Sequence, residues 1–302
     1  MYNKISLAIL VVFLLALPLQ AQVESVNLEN QLKEVINEVK AEVGVAVIIN
    51  GKDTFTLNNS VQYPMMSVFK FHQALAVVHY LEQNKQALAT SIRVKQESLR
   101  SDTYSPLYEK HPAEDLTITI KELLNYTLQL SDNNACDILF DYAGGVEQTD
   151  KYIRSLGIDD FSISATEVDM DNDFNTCYQN WTSPLEAAVL LELLVTRSLA
   201  NETNQTFIKE IMIACDTGRN RLVKPLQEKA VIIGHKTGTS GRNDKGQFIG
   251  VNDIGFVTLA DGQRYSIAVF VKDSEATMQA TEAVIAKISE VVYDYIDRGN
   301  EW

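Results

Sequence analysis

The sequence contains few basic residues and few cysteines. Lysine and arginine number 26 against 40 aspartate and glutamate residues, which gives a formal net charge of −14. Nucleic-acid binding needs a basic surface, so this balance argues against a nucleic-acid partner, and an anionic membrane would repel the protein. Three cysteines are too few for a disulfide-dense scaffold. The 46% of hydrophobic and 22% of charged residues are typical of a globular protein with one large domain or two smaller ones.

No apolar segment at the start of the chain is long enough to span a bilayer. The run Ile5–Leu17 has 13 residues, whereas a membrane-spanning helix needs roughly 20. Lys4 precedes this run and the small residue Ala21 follows it, a pattern typical of a secretory signal peptide. We therefore expect residues 1–21 to be removed and the protein to be periplasmic or secreted. No cysteine lies near residue 21 to carry a lipid, so we expect no membrane anchor.

Hydrophobic periodicity divides the chain into helical and strand segments. An amphipathic helix is predicted near residues 28–43, and Asn50-Gly51 between the next two apolar runs is a strong hairpin signal. The predicted strands are Val45–Ile49, Thr54–Leu57, Val231–Lys236, Asp253–Leu259 and Tyr265–Lys272. The other predicted helices are Ser67–Gln83, Ile120–Leu130, Asn133–Tyr142, Val146–Leu156, Pro184–Thr196, Gln205–Ile213 and Glu275–Ile296.

This order of segments predicts an α/β (α+β) fold with two domains. Because hairpins rather than helical crossovers join the strands, we expect an antiparallel five-stranded sheet flanked by the terminal helices, plus an all-helical domain. Residues 22–62 and 216–302 would form the sheet domain, and residues 63–215 the helical domain. The cleft between the two domains is the expected site.

Ser67-Val68-Phe69-Lys70 places a serine and a lysine one turn apart on the same face of a predicted helix. A serine hydroxyl becomes nucleophilic when a neighbouring base takes its proton, and a lysine can be that base. A position at the helix start would add backbone N–H groups and the positive end of the helix dipole where an oxyanion would form. Taken alone, the motif is explained at least as well by a helix cap followed by a solvated lysine.

Two further motifs make the first one informative. Ser131-Asp132-Asn133 lies between two predicted helices, where capping residues are also common. Lys236-Thr237-Gly238-Thr239 lies on a predicted strand, where a glycine bulge is the plain alternative. Each motif is weak alone, but the three in this order, on a helix start, a turn and a strand, are highly specific.

Motifs of the type S-x-x-K, S-D-N and K-T-G mark class A β-lactamases and penicillin-binding proteins. Over nearly the whole length after the signal peptide, the chain resembles a class A serine β-lactamase. Tyr104-Ser105-Pro106, Glu109-Lys110-His111 and Leu130 strengthen the likeness. The resemblance implies a β-lactamase/transpeptidase-like fold, and a serine acyl-enzyme that is released by water activated by a loop glutamate.

Glu167 stands at the position of the family's loop glutamate. From the residues alone, nothing separates it from Asp169, Asp171 and Asp173 in the same loop. The family usually has asparagine four residues after this glutamate and arginine two residues before it, but Asp171 and Ala165 stand there. We therefore expect a loop that is built differently, as in the PER-like and VEB-like extended-spectrum branch, which the sequence looks closest to.

The resemblance also implies the roles of the site residues. Ser67 would be the nucleophile, and either Lys70 or Glu167 through a water would take its proton, a choice that is disputed in the family. Ser131, with Lys236 beside it, would pass a proton to the leaving nitrogen. The backbone N–H groups of Ser67 and Thr239 would form the oxyanion hole. The residues expected to bind the substrate are Tyr104, Asn133, Arg221, Thr237, Gly238 and Thr239.

We expect a monomer that takes a small β-lactam and needs no cofactor or metal. The four histidines, at positions 72, 79, 111 and 235, show no ligand spacing with a carboxylate or cysteine partner. The resemblance implies penicillins and especially cephalosporins as substrates, and Thr239-Ser240 favours bulky oxyimino cephalosporins. Carbapenems are expected to be poorer substrates, because Met66 and Ser240 stand where several carbapenemases have a pair of cysteines.

Three other interpretations stay open at this point. A D-Ala-D-Ala peptidase or penicillin-binding protein shares the three motifs but lacks the glutamate that releases the acyl group. A β-lactam-sensing domain would be acylated once and stay acylated. A secreted domain whose motifs are coincidental is the least specific interpretation.

Overall fold

The structure, a computed structural model, describes residues 28–298. The signal peptide predicted for residues 1–21 lies outside these residues and stays a prediction. In the described part of the chain, no helix is long and apolar enough to cross a lipid bilayer.

Strands from the two ends of the described chain form a five-stranded antiparallel sheet. Numbered in chain order, they are β1 (Glu42–Ile49), β2 (Asp53–Leu57), β8 (Val231–Thr239), β9 (Phe248–Leu259) and β10 (Arg264–Ser274), arranged as β2-β1-β10-β9-β8. Asn50 and Gly51 turn between β1 and β2 with φ values of 52° and 68°, a backbone region that these two residue types tolerate. The hairpin predicted at Asn50-Gly51 and the predicted antiparallel sheet are therefore confirmed.

Both faces of the central part of this sheet are buried, because side chains of β1, β9 and β10 alternate between two hydrophobic clusters. On one face, Val45 and Val47 of β1 pack with the first described helix, α1 (28–36), and with the last, α10 (Met278–Arg298). On the other face, Ala46 and Ile48 join the core of the helical part of the chain. The terminal helices thus flank the sheet, as predicted.

Helices dominate the chain between β2 and β8. They are α2 (Phe69–Gln83), α3 (Pro106–Lys110), α4 (Ile120–Leu128), α5 (Asn133–Ala143), α6 (Gly145–Ser155), α7 (Glu167–Asn172), α8 (Pro184–Thr196) and α9 (Glu202–Ile213). Helix α2 is buried on almost every side, and its buried residues include the polar Lys70, His72 and Gln73. Short 3₁₀ turns at Met66–Val68, Gln96–Ser98, Phe174–Tyr178 and Lys224–Leu226 complete the helical elements of the described residues.

Five short strands in this helical region were not predicted. Strands β3 (Tyr63–Pro64), β7 (Trp181–Thr182) and β6 (Phe161–Ser162) form one small sheet, and β4 (Ser91–Val94) pairs with β5 (Leu116–Thr119). Segments of two residues carry no periodicity, so only their pairing partners define them. The small sheet matters for the site, because it joins the chain before Ser67 to both ends of the loop that holds Glu167.

Several predicted details need correction or stay open. The helix predicted from Ser67 begins at Phe69, and Ser67 lies in the 3₁₀ turn before it, with no side-chain capping bond at either helix start. Cys136, Cys177 and Cys215 are all buried free thiols. The division into a sheet domain, 22–62 and 216–302, and a helical domain, 63–215, stays a prediction.

Candidate active site

The turn that carries Ser67 is held in an uncommon backbone conformation. Met66 has a φ of 47°, a left-handed conformation that costs a residue other than glycine roughly 1–2 kcal/mol. The preceding residue anchors the turn, since the backbone N–H of Met65 donates to the carbonyl of Asn180 at 2.8 Å and its own carbonyl accepts from Val68 N at 3.1 Å. The turn presents Ser67 to a cleft.

That cleft is a cavity of about 280 Å³ and brings the three motifs together. Tyr104 is 56% exposed at its edge. The lining includes Thr217, to which the sequence analysis gave no role. The residues that line the cavity are Ser67, Tyr104, Ser131, Asn133, Thr217, Thr237 and Thr239.

Lys70 and Glu167 form a buried ion pair behind the cleft. The Lys70 Nζ lies 2.8 Å from Glu167 Oε1, and it also donates to the Ser131 carbonyl and to Asn133 Oδ1, each at 2.7 Å. Burial lowers the pKa of Lys70, but the Glu167 carboxylate outweighs this effect and the pKa is raised overall. Lys70 is therefore an ammonium that forms an ion pair with Glu167 and hydrogen bonds with Ser131 and Asn133.

Ser131 lines the cleft and contacts Lys236. Lys236 Nζ donates to Ser131 Oγ at 2.9 Å and to the Thr237 carbonyl at 2.8 Å. Burial, helped by the charge of Lys70, lowers the pKa of Lys236 to about 7. An amine that titrates near neutrality and is bonded to a serine hydroxyl can exchange a proton with it at little cost.

Asp132 holds the turn that contains Ser131. Ser131 has a φ of 62°, again left-handed. The buried Asp132 carboxylate accepts from Ser105 Oγ at 2.9 Å, from Leu107 N at 2.6 Å and from Ala135 N at 2.8 Å. Asp132 therefore has a structural role, which is to hold its neighbours Ser131 and Asn133 in place.

Gly238 allows β8 to approach the turn of Ser67. A Cβ at this position would lie 2.4 Å from the carbonyl oxygen of Met65 and 3.0 Å from the Cβ of Met66. No other residue type fits without moving the strand. Close packing against the turn explains why a glycine stands in this motif.

Arg221 does not line the cavity, although we expected it among the substrate-binding residues. Its side chain is 3% exposed, and it donates to the carbonyls of Gly238 and Asn252 at 3.0 and 2.9 Å. A third donor reaches Thr239 Oγ1 at 2.7 Å, and Nε lies 3.2 Å from Glu282. Any effect of Arg221 on a ligand therefore passes through the exposed Thr239.

Asn252 is a residue that the sequence analysis missed. Its Nδ2 donates to the carbonyls of Pro64 and Met65 at 2.8 and 3.1 Å, and its Oδ1 accepts from Val271 N at 3.2 Å. Asn252 thus links β9 and β10 to the turn of Ser67. The available signal was a pair of polar residues, Asn252-Asp253, inside an otherwise apolar strand.

The loop that contains Glu167 is held without the arginine that the family usually has. The Asn180 amide oxygen accepts from the backbone N–H groups of Ser164 and Ala165, and its Nδ2 donates to the carbonyl of Ala165. Asp137 accepts from the backbone N–H groups of Glu167 and Val168 at 2.8 and 3.0 Å. Burial raises the pKa of Asp137 to about 7, although these two N–H donors oppose the shift.

The four acids of the loop have different partners. Asp169 forms a capping box with Thr166 at the start of α7, and Asp173 accepts from Asn175 N at 2.9 Å. Asp171 Oδ2 lies 3.1 Å from Nη1 of Arg100, so the aspartate that replaces the usual asparagine is part of an ion pair. Of these acids, Glu167 is the one paired with Lys70 beside the cleft.

Comparisons with known proteins agree with this geometry. The family model described as "Beta-lactamase enzyme family" matches residues 27–296. A β-lactamase of Bacteroides uniformis is 42% identical over 269 residues, 89% of this chain and 90% of that protein. Beta-lactamase VEB-1 of Pseudomonas aeruginosa is 36% identical over 299 residues, 97% of each chain. A solved class A β-lactamase from Bacteroides cellulosilyticus is 42% identical with a TM-score of 0.87, covering 91% of this chain and 99% of its own.

Replacing Asn252 with alanine should destabilise the protein. The Asn252→Ala variant loses three buried hydrogen bonds, to the carbonyls of Pro64 and Met65 and from the N–H of Val271, and we expect the free energy of unfolding to fall by about 2–4 kcal/mol. Urea denaturation measures this loss. The exposed Asn220→Ala is the matched control and should change the free energy by about 0.5 kcal/mol or less. An Asn252→Ala variant as stable as its parent would contradict the anchoring contacts.

Asp137 should make stability depend on pH. Its folded-state pKa lies above that of an unfolded aspartate, so the folded chain keeps a proton that the unfolded chain releases. Its stabilising contribution is present at low pH and is lost as the pH rises from about 4 to about 7. Asp137→Asn removes this titration, so the variant should lose less stability than its parent between about pH 5 and about pH 8.

Urea denaturation at both pH values tests this prediction. Asp141→Asn, which changes an exposed carboxylate on the same helix α5, should keep the pH profile of the parent. Identical profiles for the parent and Asp137→Asn would show that Asp137 is ionised throughout this range.

Proposed function

The chain belongs to the class A β-lactamases, serine hydrolases that open β-lactams, and from this premise we propose that Ser67 forms an acyl-enzyme which water activated by Glu167 releases. The observation that carries the proposal is the buried contact of 2.8 Å between Lys70 and Glu167 next to the Ser67 turn. The other three acids of the loop are engaged elsewhere. Glu167 is thereby left as the carboxylate able to serve the site.

Acylation begins with attack of Ser67 Oγ on the lactam carbonyl. The serine proton goes to Lys70, or to Glu167 through a water. Because Lys70 rests as an ammonium beside Glu167, it becomes a base only after passing a proton to that carboxylate. Both routes therefore deliver the proton to Glu167 in the end, and both need this pair to stay in contact.

The backbone N–H groups of Ser67 and Thr239 stabilise the oxyanion that forms on the lactam carbonyl. Removing one such donor typically costs about 3–4 kcal/mol in the barrier. Support for this role comes from the close approach at Gly238 and from the anchoring bonds of Asn252, which together set the end of β8 against the Ser67 turn.

Ser131 then protonates the departing lactam nitrogen, and Lys236 supplies the replacement proton. The proton that Glu167 received from Ser67 passes back through Lys70 to the Ser131–Lys236 pair, so Glu167 is a carboxylate again when it deprotonates the hydrolytic water. The depressed pKa of Lys236 and its bond of 2.9 Å to Ser131 Oγ suit this relay. The positive charge of Lys236 and the hydroxyl of Thr237 hold the substrate carboxylate, while Arg221 orients Thr239 from behind.

The acylamide side chain of the substrate binds between Asn133 and the backbone of Thr239. The Asn133 side chain is already oriented, since its Oδ1 accepts from Lys70 and its Nδ2 donates to Thr103 Oγ1 at 2.8 Å. Tyr104 covers the outer edge of the cleft. Penicillins and cephalosporins, including the bulky oxyimino type, are the proposed substrate classes.

We also propose that residues 1–21 direct export and are removed, which makes the mature protein periplasmic or secreted. The mature protein would be a monomer with a sheet domain and a helical domain. It would act on its own, with a β-lactam as its one small-molecule partner.

Changing Glu167 to glutamine should trap the acyl-enzyme. Acylation of Ser67 can continue, but a glutamine cannot deprotonate the hydrolytic water, so turnover should fall by about 10²–10⁴. Mass spectrometry of the intact protein after mixing with a cephalosporin should show an adduct that outlives the parent's. An adduct no longer-lived than in the parent would remove Glu167 from this role.

Two control variants accompany the mass spectrometry of the acyl-enzyme. Asp173→Asn changes a carboxylate in the same loop and should turn over like the parent, while Ser67→Ala should form no adduct and show no turnover. A parent protein that itself accumulates a stable adduct would instead be a penicillin-binding protein or a β-lactam sensor.

Steady-state rates should rank cephalosporins first. We expect kcat/KM to be highest for an oxyimino cephalosporin and lowest for a carbapenem.

Thr239→Ala removes the hydroxyl that Arg221 orients and should lower kcat/KM for the cephalosporin about tenfold, the value of one good hydrogen bond. Thr56→Ala, an exposed change on β2, should have no effect. A carbapenem turned over as fast as the cephalosporin would overturn this ranking.

A further inference from the structure

Asp171 stands where the family usually has asparagine, and the mechanism above gives it no role. It lies four residues after Glu167 on the short helix α7. Residues four apart on a helix lie on the same face, with their Cβ atoms roughly 5–6 Å apart. The loop therefore places a second carboxylate beside the one that is proposed to activate water.

A second negative charge at this distance favours the protonated form of Glu167. Two carboxylates that share a site do not ionise independently, because each charge disfavours the other. A protonated Glu167 could not take a proton from the hydrolytic water. The charge of Asp171 must therefore be offset if the acyl-enzyme is to be released.

Arg100 supplies the opposite charge. Its Nη1 lies 3.1 Å from Oδ2 of Asp171, and the two side chains are 24% and 33% exposed. Nη1 is itself buried and makes no hydrogen bond among residues 28–298, so its contact with Asp171 depends on charge more than on hydrogen-bond geometry. The Nε of the same guanidinium donates to the exposed Asp102 at 3.2 Å.

Asn134 fixes the position of Arg100 through the backbone. Its Oδ1 accepts from the Arg100 N–H and its Nδ2 donates to the Arg100 carbonyl, both at 2.9 Å. Asn134 is buried in the first turn of α5, directly after the Ser131 motif. Because both bonds go to the backbone, they do not depend on which side chain stands at position 100.

The buried Cys177 supports the placement of the two carboxylates on one face. It lies in the 3₁₀ turn that follows α7. Burial, followed by the charges of Glu167 and Asp171, raises the pKa of Cys177 to about 12. The thiol is therefore neutral and close enough to both acids to be influenced by them, but it cannot offset their charge.

We propose that Arg100 is a positioning residue for deacylation, which neutralises Asp171 and so keeps Glu167 ionised and able to activate water. The inference rests on the proposed function, because it assumes that Glu167 is the base that releases the acyl group. The charge at position 100 then sets the pH below which deacylation slows.

Other titratable groups also face Glu167, from α2, α5, β8 and the turn after α7. They are Lys70, Cys136, Asp137, Cys177 and Lys236. Burial raises the pKa of Asp137 to about 7, so this carboxyl titrates in the same pH range. Variants at Arg100 and Asp171 keep all of these groups, and differences between their pH profiles isolate the effect of the pair.

Four variants separate the two charges of the pair. Arg100→Gln removes the positive charge and Arg100→Lys keeps it. Asp171→Asn removes the negative charge, and the double variant Arg100→Gln/Asp171→Asn removes both. Arg93→Gln is the matched control, because Arg93 forms an exposed ion pair of the same type with Asp115 at 2.9 Å.

Each protein, in excess, is mixed with a cephalosporin, and rapid-quench mass spectrometry follows the decay of the Ser67 adduct between about pH 4.5 and about pH 8.5. In Arg100→Gln, deacylation should slow at a pH about one unit higher than in the parent, the shift expected from an uncompensated charge roughly 6 Å away. Below that pH the rate should be about tenfold lower than in the parent, with little change at about pH 8.

The other variants should follow the charge that they leave behind. Arg100→Lys, the double variant and Arg93→Gln should keep the pH profile of the parent. Asp171→Asn should move the profile to lower pH, because the charge of Arg100 is then in excess.

Several outcomes overturn the inference. The pH profile of Arg100→Gln could match that of the parent, or its rate could fall equally at every pH, as a purely structural role would give. A double variant or an Arg100→Lys variant shifted as far as Arg100→Gln would show that charge is not the cause. An adduct of Glu167→Gln that decays as fast as that of the parent at every pH would refute the proposed function itself, whereas the other outcomes leave that function intact.

Discussion

The buried ion pair between Lys70 and Glu167 is the contact on which the rest of the site depends. Two charges removed from water stabilise a fold only when their geometry is good and their remaining hydrogen-bonding capacity is satisfied. Here the ammonium reaches the carboxylate at 2.8 Å and spends its other donors on Ser131 and Asn133. The pair therefore joins the start of α2, the Ser131 turn and the Glu167 loop, and loss of either partner would leave an uncompensated charge beside the cleft.

The loop that supplies Glu167 shows how one role can be met by different residues. The family's usual arginine and asparagine are replaced by Ala165 and Asp171. The side chains of Asn180 and Asp137 hold the loop backbone instead, and Asp171 is neutralised by Arg100. Because the other acids are tied to these local partners, a loop rich in negative charge still leaves a single carboxylate next to Lys70.

The strained backbone of the turn that carries Ser67 is supported in a similar way. The left-handed backbone of Met66 persists because Asn252 and Asn180 bond the residues before it, and because Gly238 lets the strand come close. Strained backbone is retained where neighbouring contacts over-determine it, and this is common at reactive sites. The same strand also carries Lys236, Thr237 and Thr239, so one set of contacts places the nucleophile and its binding residues together.

The sequence by itself determined the hairpins, the sheet, the main helices and the residues of the three motifs. Turn residues such as Asn50-Gly51 and periodic apolar runs are local properties, and motif residues can be recognised by their spacing. Only the tertiary structure decided which of the four loop acids pairs with Lys70, that Arg221 is buried against Thr239, and that Asn252 and Asp137 bond the backbone around the site. These assignments depend on contacts between residues 18 to 188 positions apart, and no local pattern encodes which distant partner a buried polar group will meet.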